Sequence, residues 1–214
     1  MIRGMFRMMS RRHLSPIITY LNEIENLRLK RILDVALSLA ALVVLSPVLL
    51  LALLVPLDSP WSIFYAYRRV GKDRRPFTFY KLCTMRLLAA YAPNDLPTDA
   101  ARLTRLGRWL RRYYLDEVPQ LLNVLKGEMS LIGPRPRLVG ALAASDPLWR
   151  QALTVTPGIS GLEQVTLGHS PTRDAQALRL DLRYVRQRSL ALDLRLLWRT
   201  LRISLSANGY SPRE

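Results

Sequence analysis

Leu115-Asp116-Glu117-Val118-Pro119-Gln120, followed by Asn123, Lys126-Gly127-Glu128-Met129-Ser130 and Gly133-Pro134-Arg135-Pro136, decides how the rest of this chain is read. It sets two adjacent carboxylates about twenty residues before a stiff Pro-Arg-Pro turn. The surrounding chain carries 32 Lys and Arg against 16 Asp and Glu, so a paired Asp-Glu followed at once by Val-Pro asks for an explanation. Acidic residues favour the first turn of a helix, and taken alone the pair would read as that. Pro119 suits the same first turn, because the N–H it lacks has no partner there anyway. A new helix is therefore expected from Leu115, with Leu121, Leu122 and Leu125 on its apolar side. Its N-terminus would favour ionised carboxylates and attract phosphate.

Outward from this block, composition narrows the function. A chain of 214 residues is long enough for one domain with its own core, with or without an appendage. The net charge of +16 calls for an anionic partner: nucleic acid, acidic lipid or a phosphorylated substrate. Only Lys30, Lys72, Lys81 and Lys126 are lysines; the other basic residues are arginines, whose planar fork matches phosphate oxygens. Cys83 is the single cysteine, which excludes an intrachain disulfide. His13 and His169 are too few and too far apart for a zinc site. No zinc-finger or RNA-recognition signature is present, so nucleic acid is set aside.

Residues 35–57 carry no formal charge and are long enough to cross a bilayer core of about 30 Å. The long polar leader and the absence of a small-residue cleavage site read against a cleaved signal peptide. Ser46-Pro47 divides the run into two legs, each about 16 Å long if helical, near half the bilayer thickness. Pro47 cannot donate to the Val43 carbonyl and clashes with it, so a kink is expected there, and the Ser46 hydroxyl could re-satisfy the freed backbone. Lys30-Arg31 precede the run and Arg68, Arg69, Lys72, Arg74 and Arg75 follow it. Basic flanks prefer the cytoplasm, and only a helix that enters and returns keeps both there. The expectation is a re-entrant hairpin, with a kinked spanning helix as the alternative.

Before the run, Ile17, Leu21, Ile24 and Leu27 fall on one helical stripe, reading as an amphipathic helix at the membrane surface. After it, residues 62–67 and 77–82 are aromatic-rich strands around a turn with Gly71, Asp73 and Pro76, a predicted hairpin. Residues 89–99 read as a loop. From Thr104 the pattern is helical: Leu103, Leu106 and Leu110 face one way, and Arg102, Arg105, Arg108 and Arg112 line a neighbouring face suited to anionic lipid phosphate. Near the C-terminus Leu190, Leu194, Leu197, Trp198 and Leu201 form a stripe opposite Arg195, Arg199 and Arg202, facing a core or in part a membrane. Three segments result: a basic interfacial segment (1–31), the re-entrant membrane helix (32–58) and a catalytic domain (59–214).

The motifs in order resemble the bacterial sugar transferase family, the monotopic polyprenol-phosphate phosphoglycosyl transferases. The resemblance spans about residues 30–200. It rests on Lys30-Arg31-Ile32-Leu33-Asp34, Ser46-Pro47, Arg69-Val70-Gly71, Phe77 and Tyr80-Lys81, on Thr104 with Gly107 through Arg111, and on the block of residues 115–136. Pro157-Gly158-Ile159-Ser160-Gly161, Gln164-Val165, Asp181 and Tyr184 complete it. It implies a small helix-rich α/β domain with a β-hairpin, amphipathic interfacial helices and a re-entrant membrane helix hairpin at the cytoplasmic face of a bacterial inner membrane. The implied reaction transfers a phosphosugar from a nucleotide sugar to a polyprenyl phosphate and releases UMP; a dimer stays open.

By the same resemblance Asp116 is the nucleophile of a covalent intermediate, chemistry that carboxylates perform in aspartyl-phosphate enzymes. Glu117 holds a metal or assists the acceptor; both roles stay open. Because an anion attacks an anion, Mg²⁺ is expected on Asp116 and Glu117. Arg135, stiffened by Pro134 and Pro136, is the candidate phosphate clamp, with Lys81 and Arg69 as further phosphate candidates. Ser46, Pro47, Pro157, Gly158 and Gln164 would shape the site. The chain departs from the family at Cys83, where Lys-Phe-Arg-Thr-Met is usual: another basic residue such as Arg86 takes that role, or activity is impaired. Tyr67, Tyr113-Tyr114 and Leu167-Gly168-His169 also differ from the usual residues. A catalytically silent or basic membrane-associated binding protein of the same fold is the competing reading.

Overall fold

The computed structural model describes residues 11–51, 63–85, 103–138, 147–168 and 174–206, with backbone alone for 11–23, 51 and 174. The leader before residue 11, the loop of residues 89–99, Arg86, Arg102, His169 and the end of the apolar run lie outside them.

Helix α1 runs unbroken over Arg11–Val44. No proline or glycine lies between Pro16 and Ser46, so nothing stops it at the division expected at residue 31. The break comes at Leu45, and α2 (Ser46–Leu51) follows. Its chemistry is local. The Ser46 Oγ donates to the Val43 carbonyl at 2.8 Å, the group that Pro47 leaves without an N–H. Such a bond contributes about 1 kcal/mol net. Among the described residues no helix is long and apolar enough to cross a membrane.

Strands β1 (Phe64–Val70) and β2 (Pro76–Leu82) form the expected antiparallel hairpin, in register from Phe64 opposite Leu82 to Val70 opposite Pro76. Pro76 opens β2 rather than sitting in the turn, a position where its missing N–H breaks no inner ladder. Helix α3 (Arg105–Arg112) is capped by Thr104, whose side chain accepts the Gly107 N–H at 2.8 Å. Arg105, Arg108 and Arg112 are exposed as the spacing required.

The carboxylate pair departs from expectation. Asp116 and Glu117 lie on a separate 3₁₀ turn, Leu115–Glu117, and helix α4 (Gln120–Lys126) begins only after Pro119. Two features split the segment: Tyr114 ends α3 in the left-handed region at φ 57°, and Pro119 stands at the cap of α4. A 3₁₀ turn tightens the backbone and points both acids inward. Leu122 is exposed, and the buried side of α4 is Gln120, Leu121, Asn123 and Val124.

Strand β3 (Ser130–Ile132) follows, then β4 (Arg137–Leu138), which joins β1 to give the sheet order β2-β1-β4. Helix α5 (Pro147–Ala152) leads to β5 (Gly158–Ser160), which pairs in parallel with β3. Helices α6 (Leu162–Leu167), α7 (Asp174–Gln187) and α8 (Leu190–Leu205) complete the chain. The result is a helix-rich α/β fold with small sheets. One core joins Phe77 and Phe79 of β2 to Val124 and Met129, and another joins Ile132, Val165, Tyr184 and Leu196.

The C-terminal stripe turns out to be mostly uncovered. Asp193 and Leu196 are the buried residues of α8, while Leu194, Trp198, Leu201 and Leu205 are exposed. A buried ionic contact decides the rotation: Lys30 Nζ reaches Asp193 Oδ2 at 2.6 Å and the Ile132 carbonyl at 3.0 Å. Beside it Arg31 donates to the Val124 and Leu125 carbonyls at 2.6 and 2.9 Å, and Asp34 accepts the Leu131 N–H. The Lys30-Arg31 and Asp34 motif thus clamps α1 onto the end of the helix that follows the carboxylate pair.

Candidate active site

Asp116 and Glu117 are both buried, at 1% and 6% exposure. They converge on one cation. Lys81, near the end of β2, places Nζ 2.8 Å from Asp116 Oδ2 and 3.1 Å from Glu117 Oε1. Burial alone would lower the Lys81 pKa, but Glu117 and Asp116 together outweigh it and raise the net value, so Lys81 stays an ammonium. Lys81 therefore faces the two acids rather than open solvent. Asn123 fixes the floor: its Nδ2 donates to the Thr78 carbonyl and to Glu128 Oε2, both at 2.7 Å, tying α4 to β2.

Arg111 is the residue that sequence reading passed over. Its Nε donates to Thr84 Oγ1 at 2.8 Å and stands 4.0 Å from Asp116 Oδ2. Its sequence signals were its place in the Gly107–Arg111 stretch of the resemblance and in the arginine-rich helix, one position off the exposed row. Cys83 is buried with Leu82 and Leu110, with Val48, Ile63, Leu106 and Leu115 packed around, and its thiol donates to the Met85 carbonyl at 3.3 Å. A guanidinium at position 83 would have to leave that apolar cluster. Tyr114, two residues before Asp116, completes the rim. Burial raises its phenol pKa, Glu117 and Asp116 add to this, and Arg135 and Lys81 oppose it. A left-handed backbone is unfavourable for a tyrosine by about 1 kcal/mol or more, and such strain concentrates at functional positions.

Arg135 lies near enough for its charge to act on both Lys81 and Tyr114. The turn that carries it interlocks with the second motif. The Gly158 N–H donates to the Pro134 carbonyl and the Gly133 N–H to the Ser160 carbonyl, each at 2.9 Å. A Cβ on Gly158 would collide with the Gly133 backbone, so the two segments meet only as glycines. Pro157 contributes its carbonyl to the Ser130 N–H. Arg69 holds the other side of the turn, donating from Nη1 to the Pro136 carbonyl at 2.9 Å and from Nη2 to the Tyr67 hydroxyl. Gln164 sits on α6 with neither amide atom bonded within the protein. Ser46 and Pro47 stay at the helix break.

Among the described residues no three His, Cys, Asp or Glu side chains cluster as a metal cage. Mg²⁺ is commonly bound through one or two carboxylates plus substrate phosphates. Asp116 and Glu117 suit that pattern, since hard oxygens from both already point at one positive group, the Lys81 ammonium.

The family model described as bacterial sugar transferase matches residues 25–207. The chain is 35% identical over 188 residues to a UDP-N-acetylgalactosamine-undecaprenyl-phosphate N-acetylgalactosaminephosphotransferase of Aeromonas hydrophila, covering 85% of this chain and 44% of that protein. It is 39% identical over 194 residues to the exopolysaccharide production protein PSS of Rhizobium leguminosarum bv. phaseoli, covering 82% of this chain and 94% of that one. It is 37% identical over 187 residues to an undecaprenyl-phosphate glucose phosphotransferase of Komagataeibacter xylinus, covering 81% of this chain and 35% of the relative. The chain thus spans less than half the length of two of these relatives and nearly all of the third.

Proposed function

The chain belongs to the bacterial sugar transferase family, and from that premise we propose that it transfers a phosphosugar from a UDP-sugar to undecaprenyl phosphate, releasing UMP, as the first membrane step of an exopolysaccharide or related glycan. The observation that carries this reading is the convergence of buried Asp116 and Glu117 on Lys81, with Arg111 and Arg135 close by. An acidic pair set among fixed cations suits a dianionic diphosphate approached by a carboxylate nucleophile.

Asp116 attacks the phosphorus that bears the sugar. An aspartyl O–P bond forms, the bridging P–O bond breaks, and UMP leaves with the bridging oxygen and its electron pair. A phosphate oxygen of undecaprenyl phosphate then attacks the same phosphorus. The new diphosphate bond forms, the aspartyl O–P bond breaks, and the Asp116 carboxylate is restored. Lys81 offsets charge on the acids and on incoming phosphate oxygens, and Arg135 clamps the diphosphate. Asp116 and Glu117 would hold Mg²⁺, which when bound supplies charge neutralisation on the diphosphate.

The acceptor's long tail requires membrane placement. We read the end of α1 and α2 as a re-entrant hairpin at the cytoplasmic face of the inner membrane. Support comes from the bond of Ser46 to Val43 and from the exposure of Val43, Val44 and Leu50. The exposed side of α8, with Arg195, Arg199 and Arg202 alongside, suits the interface with anionic lipid. Which sugar is carried is a separate matter, since the relatives' names give N-acetylgalactosamine and glucose.

The test is full-length protein in nanodiscs with undecaprenyl phosphate and a panel of UDP-sugars. Multiple-turnover UMP release that needs both the acceptor and one UDP-sugar, beyond the single equivalent released when Asp116 is loaded, is the expected result. No release from any member of the panel overturns the reading in favour of a silent homologue.

A further inference from the structure

The Pro134-Arg135-Pro136 turn is gripped on every side. Gly158 N–H holds the Pro134 carbonyl and Arg69 holds the Pro136 carbonyl. Just past the turn, Arg137 carries the chain onto Asp181 of α7. That carboxylate, 1% exposed, accepts from Arg137 Nη2 at 3.1 Å. We infer that Asp181 is a positioning residue for Arg135: by holding the Arg137 guanidinium, two residues on, with a buried carboxylate, it fixes the turn that carries Arg135.

The arrangement is costly for a contact that merely fills space. Arg137 Nη2 also serves Glu163 Oε2 at 3.0 Å, so two carboxylates share one guanidinium. Burying charge of this kind is often no better for stability than apolar packing. A geometric role accounts for its presence. Burial first, and Glu163 second, push the Asp181 pKa up to about 7, while Arg137 pulls against them. The charged groups that act most strongly on Asp181 are Glu163 from α6 and Arg137 from β4. Helix α5 presents the Trp149 ring, which stacks on Arg137 at 4.8 Å. Charge-assisted hydrogen bonds are roughly twice as strong as neutral ones, so the grip on the turn tightens as Asp181 ionises.

The inference rests on Arg135 being the phosphate clamp of the proposed reaction. Its test is a double-mutant cycle on full-length protein in nanodiscs, with kcat/KM for UMP release measured for Asp181→Asn, Arg135→Ala and both together. Asp181→Asn alone should lower kcat/KM roughly tenfold, the loss of one charge-assisted contact. Adding it to Arg135→Ala should change nothing further, because there is no side chain left to aim. Losses that multiply overturn the inference and leave the clamp reading intact. An Arg135→Ala enzyme with wild-type kcat/KM takes down the clamp reading, and the inference with it. Glu163→Gln serves if Asp181→Asn does not fold. Removing the competing carboxylate should move the rising limb of kcat/KM against pH to lower pH, with substrate titration common to both enzymes. An unmoved limb overturns the inference.

Discussion

Lys81 Nζ lies 2.8 Å from Asp116 Oδ2, a contact between the end of a hairpin strand and a 3₁₀ turn 35 residues further on. Lys81 also pairs with Glu117, so its removal takes away the cation that two buried acids share. Lys81→Met should therefore abolish UMP release and destabilise the fold by about 3 kcal/mol, the typical penalty for breaking a buried pair. Urea unfolding gives the number. Adding Asp116→Asn to Lys81→Met should recover part of it, because one uncompensated charge disappears; no recovery would show that the pair contributes little to folding.

Asp116→Asn keeps the shape of the nucleophile and removes its charge. Incubated with the nucleotide sugar alone, the unmodified protein should gain the mass of a phosphosugar and the variant should not. Turnover near the wild-type rate in the variant would sink the covalent mechanism. Glu117→Gln should also lose at least tenfold in rate, with a changed Mg²⁺ dependence if it is a metal ligand rather than an aid to the acceptor.

Cys83 and Arg111 divide one question between them. The cysteine is packed against Leu82 and Leu110, and Arg111 stands beside Asp116. Cys83→Arg should be neutral or harmful, since a guanidinium added there disrupts apolar packing and crowds Arg111 with like charge. Arg111→Ala should be severe, on the order of a hundredfold in kcat/KM for a lost charge-assisted phosphate contact. A Cys83→Arg enzyme that is faster than the natural one would show that the site lacks a guanidinium.

What could be read in advance follows the range of the interactions. The hairpin was legible because aromatic strand residues flank a Gly-Asp turn within twenty residues. The break near Ser46 was legible because Pro47 and the Val43 carbonyl are four residues apart. The acids themselves were visible as a motif, but their distribution between a 3₁₀ turn and a later helix depends on Tyr114 adopting φ 57°, which no propensity scale favours. Long-range pairs stayed hidden. Lys30 with Asp193, Lys81 with Asp116 and Arg137 with Asp181 join segments that only tertiary packing brings together. The apolar stripe of α8 could not be divided between core and membrane for the same reason: the Lys30 contact turns Asp193 and Leu196 inward and leaves Trp198 outside.

The helix break at Leu45 sets the remaining expectation, which concerns topology. Val43's carbonyl is bonded to a serine hydroxyl because Pro47 has no N–H to give it. In Ser46→Ala/Pro47→Leu the residue at 47 regains that N–H, the helix can continue, and residues 35–57 become a straight rod of about 34 Å, enough to cross the bilayer core. Single cysteines at Arg12 and Arg74, in a Cys83→Ser background, should both be shielded from an impermeant thiol reagent applied outside intact cells when Ser46 and Pro47 are present. With Ser46→Ala/Pro47→Leu, a fraction of molecules should expose one of the two. Labelling of only one cysteine in the protein that keeps Ser46 and Pro47 would establish a spanning helix and end the re-entrant reading.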